Sequence, residues 1–171
     1  KVYSMIQTLE ENHWKAIKSE ELKNCIAACA GLYLEAVASS QEITTGSNLK
    51  LKLEAINRSS VGMQLVSLTT LPDSKTFPQN KVLTTNGSNK IQLDLQIPSE
   101  TEYTQPYWLK ETGTTGMYIV KDQKNIGIPD VIRETKVVFN IRIDEIEIPF
   151  ERTIVYKYND DVKGEMYNYL D

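Results

Sequence analysis

Apolar residues near the start of the chain recur three and four positions apart, which places them on one side of an α-helix. The first such set consists of Val2, Met5, Ile6 and Leu9. The spacing returns over residues 22–29, where Ser19 is a candidate N-cap. Gly31 predicts the end of the second helix, because glycine readily adopts the left-handed conformation that closes many helices. Two short N-terminal helices are therefore predicted.

From Leu32 onward apolar and polar residues alternate, as they do in strands with one face in a core. Residues 90–97 alternate most cleanly, and residues 139–158 alternate almost throughout, with a candidate hairpin turn at Asp144-Glu145. About eight such strands, separated by turn-forming residues, predict a mainly β protein. The expected fold is an immunoglobulin-like antiparallel β-sandwich preceded by short N-terminal helices.

The pattern also predicts how the chain is divided. Residues 1–30 form a helical linker segment and residues 31–171 a β-sandwich domain. The stretch 72–80 predicts a loop, and 117–120 predicts a short strand. Because proline donates no hydrogen bond to a neighbouring strand, Pro149 predicts an edge strand or a bend at a bulge.

Length and charge narrow the classes of function. The 171 residues suffice to bury a core without disulfide or metal staples. The net charge of −4 and the lack of a Lys/Arg-rich stripe argue against a nucleic-acid partner. No apolar run approaches the roughly 18–20 residues of a membrane helix, so no membrane insertion is expected. The chain begins at Lys1 within a helical pattern, which predicts a fragment of a longer protein.

Candidate catalytic groups are few. The single histidine, His13, is expected to be a surface or interface residue, and nucleophilic catalysis usually needs a base of this kind beside the nucleophile. Cys25 and Cys29 are predicted to be small apolar core residues. The acidic stretch 159–165 fits a solvated turn better than a Ca²⁺ loop, because its acids do not alternate. No catalytic residue, metal ligand or cofactor is predicted in this chain.

The best binding candidates are aromatic. Tyr103, Tyr107 and Trp108 lie close together in the irregular region 99–116. Aromatic rings on loops stack on sugar faces or form protein contacts, so these residues are candidates for glycan or interface binding. The alternative is that Trp108 closes one end of the sandwich as a core residue.

Five short motifs spaced along the chain are more specific than the alternation of apolar and polar residues. YTQPYWL (103–109), GMYIVKDQKNIGIPD (116–130) and RTIVYKYNDDVKGEMY (152–167) occur in that order, after GLYLEAVAS (31–39) and LEAINRS (53–59). Together they resemble the region downstream of the catalytic domain in large bacterial PIG-L family (LmbE-like) deacetylases. These enzymes are relatives of N-acetylglucosaminyl-phosphatidylinositol de-N-acetylase. The resemblance covers nearly the whole chain.

The resemblance implies an accessory role for residues 31–171. Members of the family remove the N-acetyl group from a GlcNAc-type substrate, with zinc held by a motif similar to His-Pro-Asp-Asp. Residues 71–74 read Leu-Pro-Asp-Ser, so no catalytic or zinc-binding residue can be carried over. The resemblance thus implies a non-catalytic β-sandwich whose partner is the catalytic domain of the same polypeptide, where zinc would be bound. An extracytoplasmic location (periplasmic, surface or secreted) is implied as well.

Two alternatives remain open. One is a stand-alone carbohydrate-binding module that uses Tyr107 and Trp108, and the other is a generic extracellular protein-interaction domain. The apolar sides of the two N-terminal helices need a partner in each case, either a face of the sandwich or another domain. The family tends to have Asp-Gly at the hairpin where this chain has Asp144-Glu145, so a longer turn or a different turn type is expected.

Overall fold

The computed structural model describes residues 1–170, which contain two α-helices and nine β-strands. The helices are α1 (Val2–Gln7) and α2 (His13–Cys29). The strands are β1 (Leu32–Ala38), β2 (Asn48–Asn57), β3 (Met63–Leu71), β4 (Lys75–Val82), β5 (Asn89–Gln96), β6 (Lys136–Ile143), β7 (Ile146–Thr153), β8 (Val155–Asp160) and β9 (Gly164–Tyr169). Two short 3₁₀ helices, Tyr107–Leu109 and Gln123–Asn125, lie between β5 and β6.

The strands form two sheets, which confirms the mainly β class. One sheet has the order β5-β2-β1-β8-β9 and the other β4-β3-β6-β7. Neighbours pair antiparallel except β1 and β8, which run parallel, so the expectation of a purely antiparallel arrangement is wrong. The parallel pair arises because the chain leaves the four-stranded sheet at the buried residue Ile154 and enters the other sheet as β8.

The two sheets share one apolar core. Alternate residues point into it, for example Leu34, Leu51 and Leu53 from the larger sheet and Leu68 and Phe139 from the smaller one. Burying an apolar side chain of this size contributes about 1.5–3 kcal/mol. The two-residue alternation of the sequence is therefore the alternation between this core and the opposite face of each sheet.

Helix α2 is longer than its apolar spacing predicts. It begins at His13, where the Asn12 Oδ1 accepts a hydrogen bond from the Lys15 backbone N–H at 2.9 Å, so Ser19 is not the N-cap. It ends at Cys29, and Gly31 follows with a φ of +61°, as predicted.

The expectation that Cys25 and Cys29 lie in the core is wrong, because both are exposed. Their four-residue spacing does put them on one helix face. That face points away from the core, and it is Ala27 and Ala30 that are buried in their place.

Prolines mark the edges of the smaller sheet. Residues 72–80 are not the predicted loop, because β4 pairs with β3 from Lys75 onward. Pro78 is tolerated there because β4 is an edge strand. Pro149 lies on β7, the other edge strand, which confirms the edge placement. Its carbonyl accepts a hydrogen bond from the Lys23 Nζ at 3.0 Å, which ties α2 to this sheet.

The β6–β7 hairpin turns at Asp144-Glu145, as predicted. Only Asp144 of the two has a positive φ, at 52°, so Glu145 is spared the left-handed conformation that it tolerates poorly. The predicted strand at 117–120 does not form, since Met117 makes only an isolated bridge with Thr114.

Candidate functional site

A long loop, residues 97–135, joins the two sheets between β5 and β6. Loops longer than about 12–15 residues are uncommon in compact domains and are usually functional or disordered. This one is held by its own contacts. The Lys110 Nζ lies 2.7 Å from the Glu102 Oε2, and the Gly127 backbone N–H donates to the Tyr107 hydroxyl at 3.2 Å.

The long loop and the C-terminal end of α2 meet the larger sheet at opposite ends. Strand β5 ends at Gln96, which pairs with Asn48, and the loop leaves from there. Helix α2 leads into β1 at Leu32, which pairs with Asn57 at the other end of β2. Helix α2 also contacts β7, where the Lys23 Nζ donates to the Pro149 carbonyl.

The structure brings Tyr107 and Trp108 together but assigns Tyr103 a different position. The rings of Tyr107 and Trp108 are perpendicular, with centroids 4.9 Å apart, and both residues are half-buried. The two rings therefore do not share a flat platform. Tyr103 is 74% exposed and projects from the loop.

Tyr103 and Tyr107 line a cleft that Trp108 does not reach. The cleft, here called the Tyr103 cleft, is lined by Thr101, Glu102, Tyr103, Tyr107, Lys110 and Glu134, among others. The hydrogen bond from Lys110 lowers the pKa of the Glu102 carboxyl, and the same bond raises the pKa of the Lys110 ammonium. Both groups are therefore charged over a wide range of pH.

Trp108 lines a second depression with Met117 and Tyr118. Three exposed large apolar side chains beside it are here called the loop patch: Leu109, Met117 and Tyr118. The sequence contained a signal for this patch in the run Met117-Tyr118-Ile119, but its period suggested a strand. No strand forms to bury these side chains, so they remain at the surface.

The helical pair presents a third surface. Four of its large apolar side chains are each more than half exposed, and together they are called the helical face: Val2, Met5, Leu9 and Trp14. The pair is nevertheless ordered by specific contacts. The buried Lys15 donates from its Nζ to the Gln7 carbonyl at 3.1 Å and to the Leu9 carbonyl at 2.7 Å. Tyr3 packs against the core.

A charged cluster lies on the outer face of the larger sheet. The Lys157 Nζ is 2.9 Å from the Glu35 Oε1 and 3.2 Å from the Glu165 Oε1. Burial alone would lower the pKa of Lys157, but hydrogen bonds to the two carboxylates raise it overall. The hydrogen bond from Tyr167 lowers the pKa of Glu165. Since the cluster joins β1, β8 and β9, we assign it a structural role.

The pKa of Tyr33 provides a test of this charged cluster. Burial, and then a hydrogen bond with Glu35, raise the pKa of Tyr33 from 10.0 to about 12. The shift favours the protonated phenol, so its stabilising contribution is complete below pH 10.0 and is lost as the pH rises through about 12. In an ultraviolet titration, the difference between the unmodified chain and Tyr33→Phe should be one tyrosinate that forms near pH 12. A difference centred near pH 10.0 would contradict the described contact.

Across residues 1–170, no three or more His, Cys, Asp and Glu side chains are grouped so that they could hold a metal ion. His13 is exposed and lies edge-on against Trp14, with ring centroids 5.6 Å apart. Neither helix within these residues is both long and apolar enough to cross a membrane.

The fold and these surfaces define a mainly β protein with two sheets, an ordered long loop and a helical pair. Comparison with protein-family models, curated proteins and solved structures yields no match. The resemblance to the PIG-L family therefore depends on the sequence motifs alone.

Proposed function

We propose that this chain is a non-catalytic accessory module of a PIG-L-like N-acetylglucosaminyl deacetylase. It packs against the catalytic domain and helps to present substrate or glycan. The observation that carries the proposal is the helical face, where large apolar side chains of an ordered helical pair lie exposed. Contiguous apolar surface of this kind marks interaction sites in soluble proteins.

The positions of the resemblance motifs support the same proposal. The motifs at 103–109 and 116–130 both lie within the long loop, and loops positioned by a rigid scaffold often carry function. The proposal includes an immunoglobulin-like arrangement of the two sheets, zinc bound only by the catalytic domain, and an extracytoplasmic location.

The chemistry of the helical face suits a protein partner. Its centre is apolar, and the exposed ion pair between Lys18 and Glu21, 2.6 Å long, lies at its margin. An apolar centre with a charged rim is the usual composition of a protein interface. Central residues of such interfaces often cost about 2 kcal/mol or more when they are lost.

We expect the double substitution Val2→Glu/Leu9→Glu to weaken docking strongly. If the reading frame that contains this chain encodes a deacetylase-like domain with a His-Pro-Asp-Asp motif, that domain can be produced separately. Its binding to the 171-residue chain can then be measured by calorimetry. Two charges in an apolar contact should weaken the complex by about 30-fold or more, which corresponds to about 2 kcal/mol.

The matched control is Val162→Glu, which places the same charge on a side chain that is 93% exposed in the β8–β9 turn. It should leave the affinity unchanged. Equal affinities for the helical-face variant and the control would refute docking through the helices. A reading frame without any deacetylase-like domain would refute the parentage itself.

The loop patch favours a second candidate function, a generic extracellular protein-interaction domain. Leu109, Met117 and Tyr118 are exposed on a loop that is held in place by its own hydrogen bonds and ion pairs. A stand-alone carbohydrate-binding module based on Tyr107 and Trp108 has less support, because the two rings are perpendicular and half-buried.

A further inference from the structure

We propose that the Tyr103 cleft binds a pyranose ring of a neutral or amino-substituted saccharide. Tyr103 would stack on the sugar face, and Glu102, Lys110 and Glu134 would bind its hydroxyl groups. This inference deepens the glycan-presentation part of the proposed function, and it rests on that function only to this extent. Binding to the cleft requires no catalytic domain and is tested without one.

The aromatic side of the cleft comes from two tyrosines with different exposure. Tyr103 is 74% exposed, so a face of its ring is open to a ligand. Tyr107 is half-buried, and its hydroxyl accepts a hydrogen bond from the Gly127 backbone N–H at 3.2 Å. An amphipathic aromatic side chain of this kind offers an apolar face for the C–H groups of a sugar. The cleft thus combines one fixed ring with one exposed ring.

The polar side of the cleft is organised before any ligand binds. Glu102 and Lys110 form an ion pair of 2.7 Å, which places an acceptor and a donor next to each other. Neighbouring hydroxyl groups on a pyranose can donate to the carboxylate and accept from the ammonium at the same time. Hydrogen bonds with a charged partner are stronger than those between neutral groups.

A buried hydroxyl in the same cleft lacks a partner. Within residues 1–170 the Thr101 Oγ1 is buried and makes no hydrogen bond. Buried polar atoms are nearly always paired, so an unpaired one calls for an explanation. Thr101 also lines an adjoining depression with Ile43 and Leu170, so segment 101–104 borders two openings. A small movement of this segment would bring the Thr101 hydroxyl to a ligand hydroxyl.

The charge of the cleft selects among saccharides. Glu102 and Glu134 contribute two carboxylates against the single ammonium of Lys110. A uronic acid or sulfated sugar would bring a further negative charge and be repelled. A neutral sugar avoids that repulsion, and an amino sugar gains attraction to Glu134.

The test uses the 171-residue chain and three tetrasaccharides: cellotetraose, tetraglucosamine and tetragalacturonate. Titration followed by NMR should show that the first two bind and that tetragalacturonate does not. Tyr103→Ala should weaken the binding of both ligands at least tenfold. Glu134→Gln should weaken tetraglucosamine more than cellotetraose.

The matched control is Tyr118→Ala. Tyr118 is an exposed tyrosine of the same loop, 67% exposed, but it lies outside the Tyr103 cleft. This variant should bind both ligands like the unmodified chain. Three outcomes would overturn the inference: no binding of either ligand, preference for tetragalacturonate, or equal losses in the two tyrosine variants.

Docking to the catalytic domain and saccharide binding are tested by different variants, so one can be refuted without the other. Val2→Glu/Leu9→Glu should leave saccharide binding unchanged, because no residue that lines the Tyr103 cleft belongs to the helical face. Tyr103→Ala should leave binding to the catalytic domain unchanged. A similar melting temperature for the two tyrosine variants would show that lost binding reflects the cleft and not the fold.

Discussion

Replacing Phe139 with alanine is expected to lower the free energy of unfolding by about 3–5 kcal/mol, the usual cost of removing a buried aromatic ring. Phe139 lies on β6 and is fully buried. It pairs with Phe150 of β7 on one side and with Leu68 of β3 on the other. Removal of the ring leaves a cavity in the core that the two sheets share, and the neighbouring strands can close it only in part.

Urea denaturation of the unmodified and substituted chains measures this loss. Val162→Ala is the control, because Val162 is 93% exposed. Its free energy of unfolding should change by less than about 0.5 kcal/mol, as is usual for surface substitutions. A loss of under about 1 kcal/mol for Phe139→Ala, below the range for buried aromatic residues, would contradict a close-packed core at this position.

The second large effect is expected at Asn57, a buried polar residue at the end of β2. Its Nδ2 donates to the Val61 carbonyl at 2.8 Å and to the Leu83 carbonyl at 3.2 Å. Its Oδ1 accepts from the Ser59 backbone N–H at 2.9 Å. Asn57→Ala should lower the free energy of unfolding by about 2–4 kcal/mol, since one unpaired buried group costs about 1–3 kcal/mol.

This substitution should also loosen the connection to the helical pair. The Ser59 hydroxyl donates to the Ala30 carbonyl at the end of α2 at 2.7 Å, and Asn57 orders the turn that carries Ser59. Hydrogen exchange should therefore accelerate at the end of α2 as well as at the end of β2. Ser60→Ala, at an exposed neighbour, should change neither quantity. Unchanged exchange in α2 of the Asn57 variant would disprove the connection.

Much of the β structure could be predicted because each strand carries its own two-residue period. The alternation at 90–97 corresponds to β5, and the hairpin at Asp144-Glu145 joins β6 and β7 as predicted. Gly31 ends the helical region because its φ of +61° disfavours other residues. These features depend on residues close together in the sequence, so local patterns are sufficient to predict them.

Other elements could not be predicted from local patterns. Strand β4 contains Pro78, which is acceptable only because no further strand pairs beyond it. In β3 the buried residues change from odd to even positions between Leu65 and Leu68. The reason is that the pairing shifts register there against both neighbouring strands. The single parity of 146–158 hides a change of sheet at Ile154, where the chain passes from β7 of one sheet to β8 of the other.

The candidate site, too, could be predicted from the sequence only in part. Sequence alone selected Tyr103, Tyr107 and Trp108 as neighbours in an irregular region. Their orientation depends on distant contacts, such as the bond between Gly127 and Tyr107, and on the ion pair between Glu102 and Lys110. Glu134, 31 positions beyond Tyr103, reaches the same cleft only because the long loop returns to it.

By itself the sequence determined which segments alternate, where the helical region ends and where aromatic residues cluster in the irregular region. These properties come from side-chain periodicity and residue type. Only the tertiary structure decided which sheet each strand joins, that β8 runs parallel to β1, and that Tyr103 and Glu134 line the same cleft. Those outcomes depend on pairing between residues far apart in the chain, which no local period encodes.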